Sequence, residues 1–484
     1  MRIISGFILC LASVAVLAQP VDIARLTASL LGETPLEEDL QELCDEIGGR
    51  ETGSEANVEA VEWGLKKFQE AGIKAWKQSF TMPSLWLEKS TTAWITGDIA
   101  FVPLVVSKFH SPPGTYTAPL IDAGTGGQED FAALGKRASG AFVLVEMDLC
   151  FDIGGLFTEY GNAAIAEDFA RAAGAAGIVF MASRPNRLLY RFISKTGMNN
   201  TLPQIVMARE DAKRCQRSLR NGDKLEITIQ IDATTGDAYQ SANVIAEIPG
   251  SVYPGEVLVI GSHIDSWALG TGANDNGCNV ALMIDIARQI QKLGIQPDRT
   301  IRFALWNGEE QGFFGSQAYT QQYAEAMDDH LMAMSIDIGS GGIIGFFTNG
   351  RQELIPVVDA LLKPVEAFGP FMNIDVPVVG TDNFDFMLQG VPNLVGNHNS
   401  ANYGPNYHAA SDTYDKVDLK SLKINSAIVA TLVLGYANLP AEEIVRHRHT
   451  RPEIQEILDV HEMEFQFRMF DLWDEWMSGS RGRK

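Results

Sequence analysis

Residues 261–310 read GSHIDSWALGTGANDNGCNVALMIDIARQIQKLGIQPDRTIRFALWNGEE. The apolar run just before them, 257–260, has the texture of a buried parallel strand that stops at Gly261, ahead of His263 and Asp265. A Gly-rich loop then carries Asp275 and Asn276 to the start of an amphipathic helix expected over 279–292. A second strand, 300–306, ends at Asn307-Gly308 and delivers the adjacent pair Glu309-Glu310. Another apolar run, 331–336, ends at Asp337, placing that carboxylate at the same edge as His263 and Glu310. Open α/β sheets place their sites at the carboxyl ends of neighbouring strands. The expected fold is therefore α/β, with a mixed, mostly parallel sheet and helices on both faces.

The residue types explain one another if the site holds metal. A hydrolytic pair of zinc ions needs a carboxylate able to bridge both, with imidazole and carboxylate ligands on each side. Asp275, short and on a turn, suits the bridge. Glu309 and Glu310 point in different directions in an extended or turn backbone, so one can ligate while the other acts as general base. Asp265, two residues from His263, can orient that ring or hold the site from behind. A last His ligand is expected on a later loop, where 407–413 reads YHAASDT and offers His408. Asp382, His398, Tyr403 and Tyr407 are candidates for contacting substrate or stabilising an oxyanion.

The order HxD, GxGAxDN, EE, a strand-end Asp and a late His before Ser-Asp-Thr resembles the co-catalytic zinc exopeptidase family of aminopeptidases and glutamate carboxypeptidases. The segments GSHIDSW, LWNGEEQGFFGSQAY and Gly380-Thr381-Asp382 fall nearest its glutamate carboxypeptidase branch. The resemblance covers roughly residues 35–440. It implies one zinc on His263, Asp275 and Asp337 and a second on Asp275, Glu310 and His408. Glu309 would be the base and Asp265 its supporting carboxylate. It also implies a cis peptide after Asp275, where Asn276 matches the family's usual Asp or Asn. The expected reaction is hydrolysis of a terminal bond in a short peptide, by a carboxypeptidase or dipeptidase, with an aminopeptidase as the nearest alternative. A glutaminyl cyclase-like acyltransferase would need one zinc, and a catalytically dead receptor-like protein would show eroded ligands; neither erosion nor loss is seen in the sequence.

Around this centre the chain divides. Met1-Arg2 and the apolar run 3–18 read as a secretory signal peptide, so an exported protein is expected. Residues 19–84 form a first catalytic segment, with a helix over 57–71 and an edge strand over 75–81. From 85 to 238 short strand-like runs (141–146, 177–181, 225–231) and an Ala-rich helix (162–175) suggest a smaller, β-rich, protease-associated-like lid insert. The catalytic domain resumes over 239–440, with helices expected over 312–323 and 353–368. A C-terminal extension, 441–484, carries Ile454, Leu458, Phe465, Met469, Trp473 and Trp476 at helical spacing, as for a helix packed on the body or on a second subunit of a homodimer. Disorder is expected over 478–484. The formal charge of −23 argues against nucleic acid and an anionic membrane surface as partners. Cys44, Cys150, Cys215 and Cys278 allow zero to two disulfides and show no CxxC spacing. Arg50 is expected to pair with acidic neighbours. His110, His330, His447, His449 and His461 are expected at the surface or at caps.

Overall fold

Alternate residues of the strand Tyr253–His263 serve two different cores. Leu258 and Ile260 pack beneath the helices Glu55–Glu70, Cys278–Lys292 and Leu419–Ala437, whereas Val257 and Val259 join Trp306 and Tyr319 on the opposite face. With both faces covered, the strand needs no polar alternation. The computed structural model describes residues 21–484; the expected signal peptide lies outside the described residues.

The sheet has seven strands in the order Lys74–Met82, Tyr239–Ile248, Arg299–Trp306, Tyr253–His263, His330–Ser335, Asn393–His398 and Ile343–Phe347. Its central pairings are parallel and those at both flanks antiparallel. The central strand does not stop at Gly261. Gly261, Ser262 and His263 continue the parallel register with Ala304, Leu305 and Trp306. A Cβ at position 261 would collide with the Trp306 indole, so the glycine admits a neighbour instead of ending the strand. The helix expected over 57–71 starts at Glu55, where the Ser54 hydroxyl accepts the Asn57 N–H.

Residues 85–236 build a second seven-stranded sheet, with Leu85–Gly97 at one edge and Val105–Ser107 at the other. Helix Ile153–Ala172 packs on one face, through Ala163, Ala166 and Ala170, and Arg209–Arg220 on the other, through Ala212 and Cys215. The Ala-rich helix begins earlier than its composition suggests because Asp152 caps it, accepting the Gly155 N–H at 2.8 Å.

The C-terminal extension differs from the single helix expected. It forms three short helices, Arg451–Val460, Glu464–Met469 and Trp473–Ser478, broken where Glu462 and Asp471 take positive φ. Ile454, Leu458, Trp473 and Trp476 bury against Phe313, Val379, Phe384 and Leu388 of the same chain, while Phe465 stays exposed. Residues 478–484 are not loose. Arg481 is buried and donates two 2.8 Å hydrogen bonds to the Asp385 carboxylate, a partner that local composition does not reveal.

Two other expectations, for Arg50 and His330, are corrected. Arg50 pairs with no carboxylate; it is buried and donates to the carbonyls of Gly48, Ile264, Thr271 and Gly272. His330 is buried, with Nδ1–H on the Ala326 carbonyl and Nε2 at 2.9 Å from the Tyr319 hydroxyl. The four described cysteines are free and buried, each outside any disulfide. Among the described residues, no helix is long and apolar enough to cross a membrane.

Candidate metal centre

The parallel centre of the sheet brings its strand ends to one edge, and the predicted ligands collect there. His263 ends its strand, Asp337 lies two residues beyond Ser335, and Glu309-Glu310 follow Trp306. Asp275 arrives on the loop 273–277 that leads into helix Cys278–Lys292. Gly272 makes that loop possible: its φ is +61°, and a Cβ there would strike Ser266 and the Arg50 guanidinium. The Asp275–Asn276 peptide is cis. His408 comes from the loop after Tyr403–Asn406.

Two buried triads result, His263–Asp275–Asp337 and Asp275–Glu310–His408, sharing Asp275. His263 Nε2 lies 2.9 Å from Asp337 Oδ1 and 3.2 Å from Asp275 Oδ1. His408 Nε2 lies 2.8 Å from Glu310 Oε2 and 3.2 Å from Asp275 Oδ2. Ligands held roughly 2.0–2.1 Å from a tetrahedral Zn²⁺ stand roughly 3.3 Å apart, which these separations approach. The other ring nitrogens are committed. His263 Nδ1–H donates to the Asp265 carbonyl at 3.0 Å, and His408 Nδ1–H to the Arg191 carbonyl at 2.9 Å. Neutral rings fixed this way turn Nε2 lone pairs toward carboxylate oxygens, an arrangement that needs a cation or an extra proton between them. Asp275 Oδ2 and Glu310 Oε1 are buried with no hydrogen-bond partner. The donor set therefore fits two divalent cations.

The titration of the cluster agrees. Burial opposes charge on every member, and the groups respond by sharing protons. Burial would lower His408, but Glu310 and Asp275 lift it to about 9, and Asp337 and Glu309 raise His263 well above its ordinary value in the same way. Burial pushes Glu310 up to about 7, and burial with Asp337 and Glu310 nearby holds Glu309 well above the carboxylate range. Burial also tends to raise Asp275, yet the two imidazoles hold it below its usual value. Cations bound here would displace those protons.

The Asp265 carboxylate does not orient His263, whose Nδ1 is 3.8 Å from Oδ1. Instead it accepts the Thr52 hydroxyl at 2.9 Å and the backbone N–H groups of Glu309 and Glu310 at 3.3 Å each, pinning the Glu-Glu turn. Glu309 stands outside both triads, with Oε2 3.9 Å from His263 Nε2.

Tyr403 and Tyr407 line a cavity of about 280 Å³ that ends at Asp337. Asp382 and His398 are not among its walls. His398 is tucked behind the strand end, its Nδ1–H on the Gly341 carbonyl at 2.8 Å, and burial lowers it to about 4. Asp382 is 1% exposed, and burial keeps its carboxyl well above the ordinary range. Both therefore lie behind the walls of that cavity, whereas Tyr403 and Tyr407 face it.

Three participants went unnamed in the sequence. Asp412 accepts the N–H groups of Asn274 and Asp275 at 2.8 and 3.1 Å, holding the shared ligand's loop; the Ser-Asp-Thr after His408 was its signal. Arg191, from the region of the second sheet, donates its N–H to the His408 carbonyl and accepts the His408 Nδ1–H on its own carbonyl, and Tyr160 places its hydroxyl 3.3 Å from that of Tyr407. No local pattern marks these two.

Residues 243–433 match the model of peptidase family M28. Carboxypeptidase Q of Rattus norvegicus is 30% identical over 247 residues, 50% of this chain and 51% of its own length. The chain thus spans about half the length of the carboxypeptidase Q relatives it matches. A probable lipoprotein aminopeptidase of Mycobacterium tuberculosis is 25% identical over 435 residues, 81% of each chain. The crystal structure of a peptidase M28 precursor from Shewanella amazonensis SB2B shares the fold, with a TM-score of 0.77 at 24% identity over 88% of this chain and 98% of that one.

Proposed function

We infer the function from one premise, that this chain carries a peptidase family M28 domain. The protein is a metal-dependent exopeptidase that hydrolyses a terminal bond of short peptides, in the manner of carboxypeptidase Q or a dipeptidase. One observation carries this reading: Asp275 is shared by two buried ligand triads while Glu309 stands beside them uncommitted. Zn²⁺ suits the imidazole and carboxylate donors, one ion per triad.

When bound, the two ions supply Lewis acidity that polarises the scissile carbonyl and lets water react near neutral pH. Glu309 takes a proton from the attacking water as the C–O bond forms. It then gives that proton to the amine nitrogen as the C–N bond breaks. Asp265 keeps Glu309 and Glu310 in register by accepting both of their N–H groups. Burial of the whole cluster excludes competing water and strengthens each of these contacts.

An aminopeptidase is the second reading, and a specific observation favours it. None of the three cavities bordering the cluster has an Arg or Lys in its walls to receive a peptide carboxylate. The acyltransferase and receptor-like readings are disfavoured by two complete triads. The apolar run 3–18 supports export.

Turnover of a dipeptide panel by purified mature protein, with a chelator control, tests the assignment. Cleavage of amino-blocked dipeptides means a carboxypeptidase, of aminoacyl-anilides an aminopeptidase, and of free dipeptides alone a dipeptidase. No cleavage with zinc supplied overturns the enzyme reading.

A further inference from the structure

The cavity beside Asp337 is walled by three parts of the chain. Ile153, Leu156 and Tyr160 come from the helix of the 85–236 region, Phe347 and Val395 from the catalytic sheet, and Gln466 and Phe470 from the C-terminal extension. Asp337 is the one charged residue among its walls. At about 280 Å³ it is near the lower end of small-molecule sites, which run from roughly 300 to 1,000 Å³. Phe470 also borders the narrower recess at Glu309, Glu310 and His408, so it stands between the reacting centre and the apolar space. Its ring centroid is 5.6 Å from Tyr160 and 6.2 Å from Phe313, spanning the two domains.

The extension is held rigidly enough to shape a site. Arg481 is locked to Asp385, the Arg451 guanidinium lies 3.8 Å over the Trp476 ring, and Phe467 packs edge-on to Phe384 at 5.0 Å. The left-handed turn at Asp471, directly after Phe470, reverses the chain there and leaves the ring facing inward.

We propose that the C-terminal extension is the specificity wall of this site: Phe470, assisted by Gln466, closes the cavity so that it takes a large apolar side chain flanking the scissile bond. This rests on the exopeptidase reading above. A charged side chain would have to leave water for walls that offer it a single carboxylate, a cost that apolar side chains avoid. Phe470 acts on selection of the substrate and takes no part in bond breaking.

The test uses the full-length, zinc-loaded protein and dipeptides in which each position in turn is Gly, Ala, Leu or Phe. Phe470→Ala should raise KM for the Leu and Phe peptides about tenfold, leave kcat and the Gly and Ala peptides unchanged, and be partly rescued by Phe470→Leu. Val460→Ser, on the exposed side of the same extension, should match wild type. An equal loss on all peptides, as loosened folding would give, overturns the proposal, as does no change. Calorimetric titration with free L-leucine and glycine reads the cavity without turnover. Wild type should prefer leucine, and Phe470→Ala should lose that preference; equal preference in both proteins overturns the wall. If leucine binds selectively but no peptide is cut, the exopeptidase reading fails while the cavity assignment stands.

Discussion

At the scale of single residues, Glu309 and His330 make opposite uses of burial. Glu309 needs a raised proton affinity to accept and return a proton. Glu309→Gln should therefore keep its metal, measured by elemental analysis of the purified protein, while kcat falls by about 10²–10⁴. Turnover equal to wild type would sink the assigned base. His330 instead is kept neutral by burial, its pKa lowered from 6.5 to about 4. Above pH 6.5 neither state carries the extra proton. As the pH falls toward 4 the unfolded chain binds it and the folded chain does not, so stability is lost on acidification, by about 3 kcal/mol from this group. Urea denaturation at pH 7 and 4.5 should show a smaller acid loss for His330→Gln. His263, Glu310 and Asp337 were legible in the sequence because each sits where an apolar run ends, a readable place, whereas Asp275 and His408 lie on loops and were legible only through their motifs. His330 was not, because its partner Tyr319 and the cover over it come from elements whose packing no local pattern encodes.

At the scale of elements, boundaries moved wherever a long-range partner outweighed a local signal. Gly261 looked like a stop, but its lack of a side chain serves the Trp306 indole and the strand runs on. The extension's apolar spacing suggested one helix, and the left-handed residues Glu462 and Asp471 cut it into three. The final helix is tied down by Arg481, so that replacing it should be costly. Arg481→Met leaves Asp385 buried without its cation, for a loss of about 3 kcal/mol or more in chemical denaturation. The double variant with Asp385→Leu should recover most of that loss, since no uncompensated charge remains. A fully stable Arg481→Met protein would mean the tail adds nothing to the fold.

At the scale of the whole molecule, sequence texture marked a change of character between 85 and 238, and the structure shows a sheet of its own drawn from residues 85–236. What texture could not show is where that region touches the centre. Arg191 donates its N–H to the His408 carbonyl and accepts the His408 ring Nδ1–H, and Trp267 packs between Phe109 of the second sheet's region and His408, at 5.3 and 5.8 Å. Zinc at a hundred times its dissociation constant should raise the unfolding free energy by about 2.7 kcal/mol, and a chelator should remove that gain. Two separate melting transitions in the metal-loaded protein would contradict the shared ligand support. The Arg191–His408 strap then has a thermodynamic meaning. Whatever free energy the docked domain contributes by presenting His408 in the right tautomer, a bound ion must return to the docking, because coupling between two equilibria is reciprocal. Removing the ion should therefore loosen the contact between the second sheet's region and the metal centre, with Trp267 fluorescence as its reporter, so that the support for His408 is weakest when the protein is least able to react.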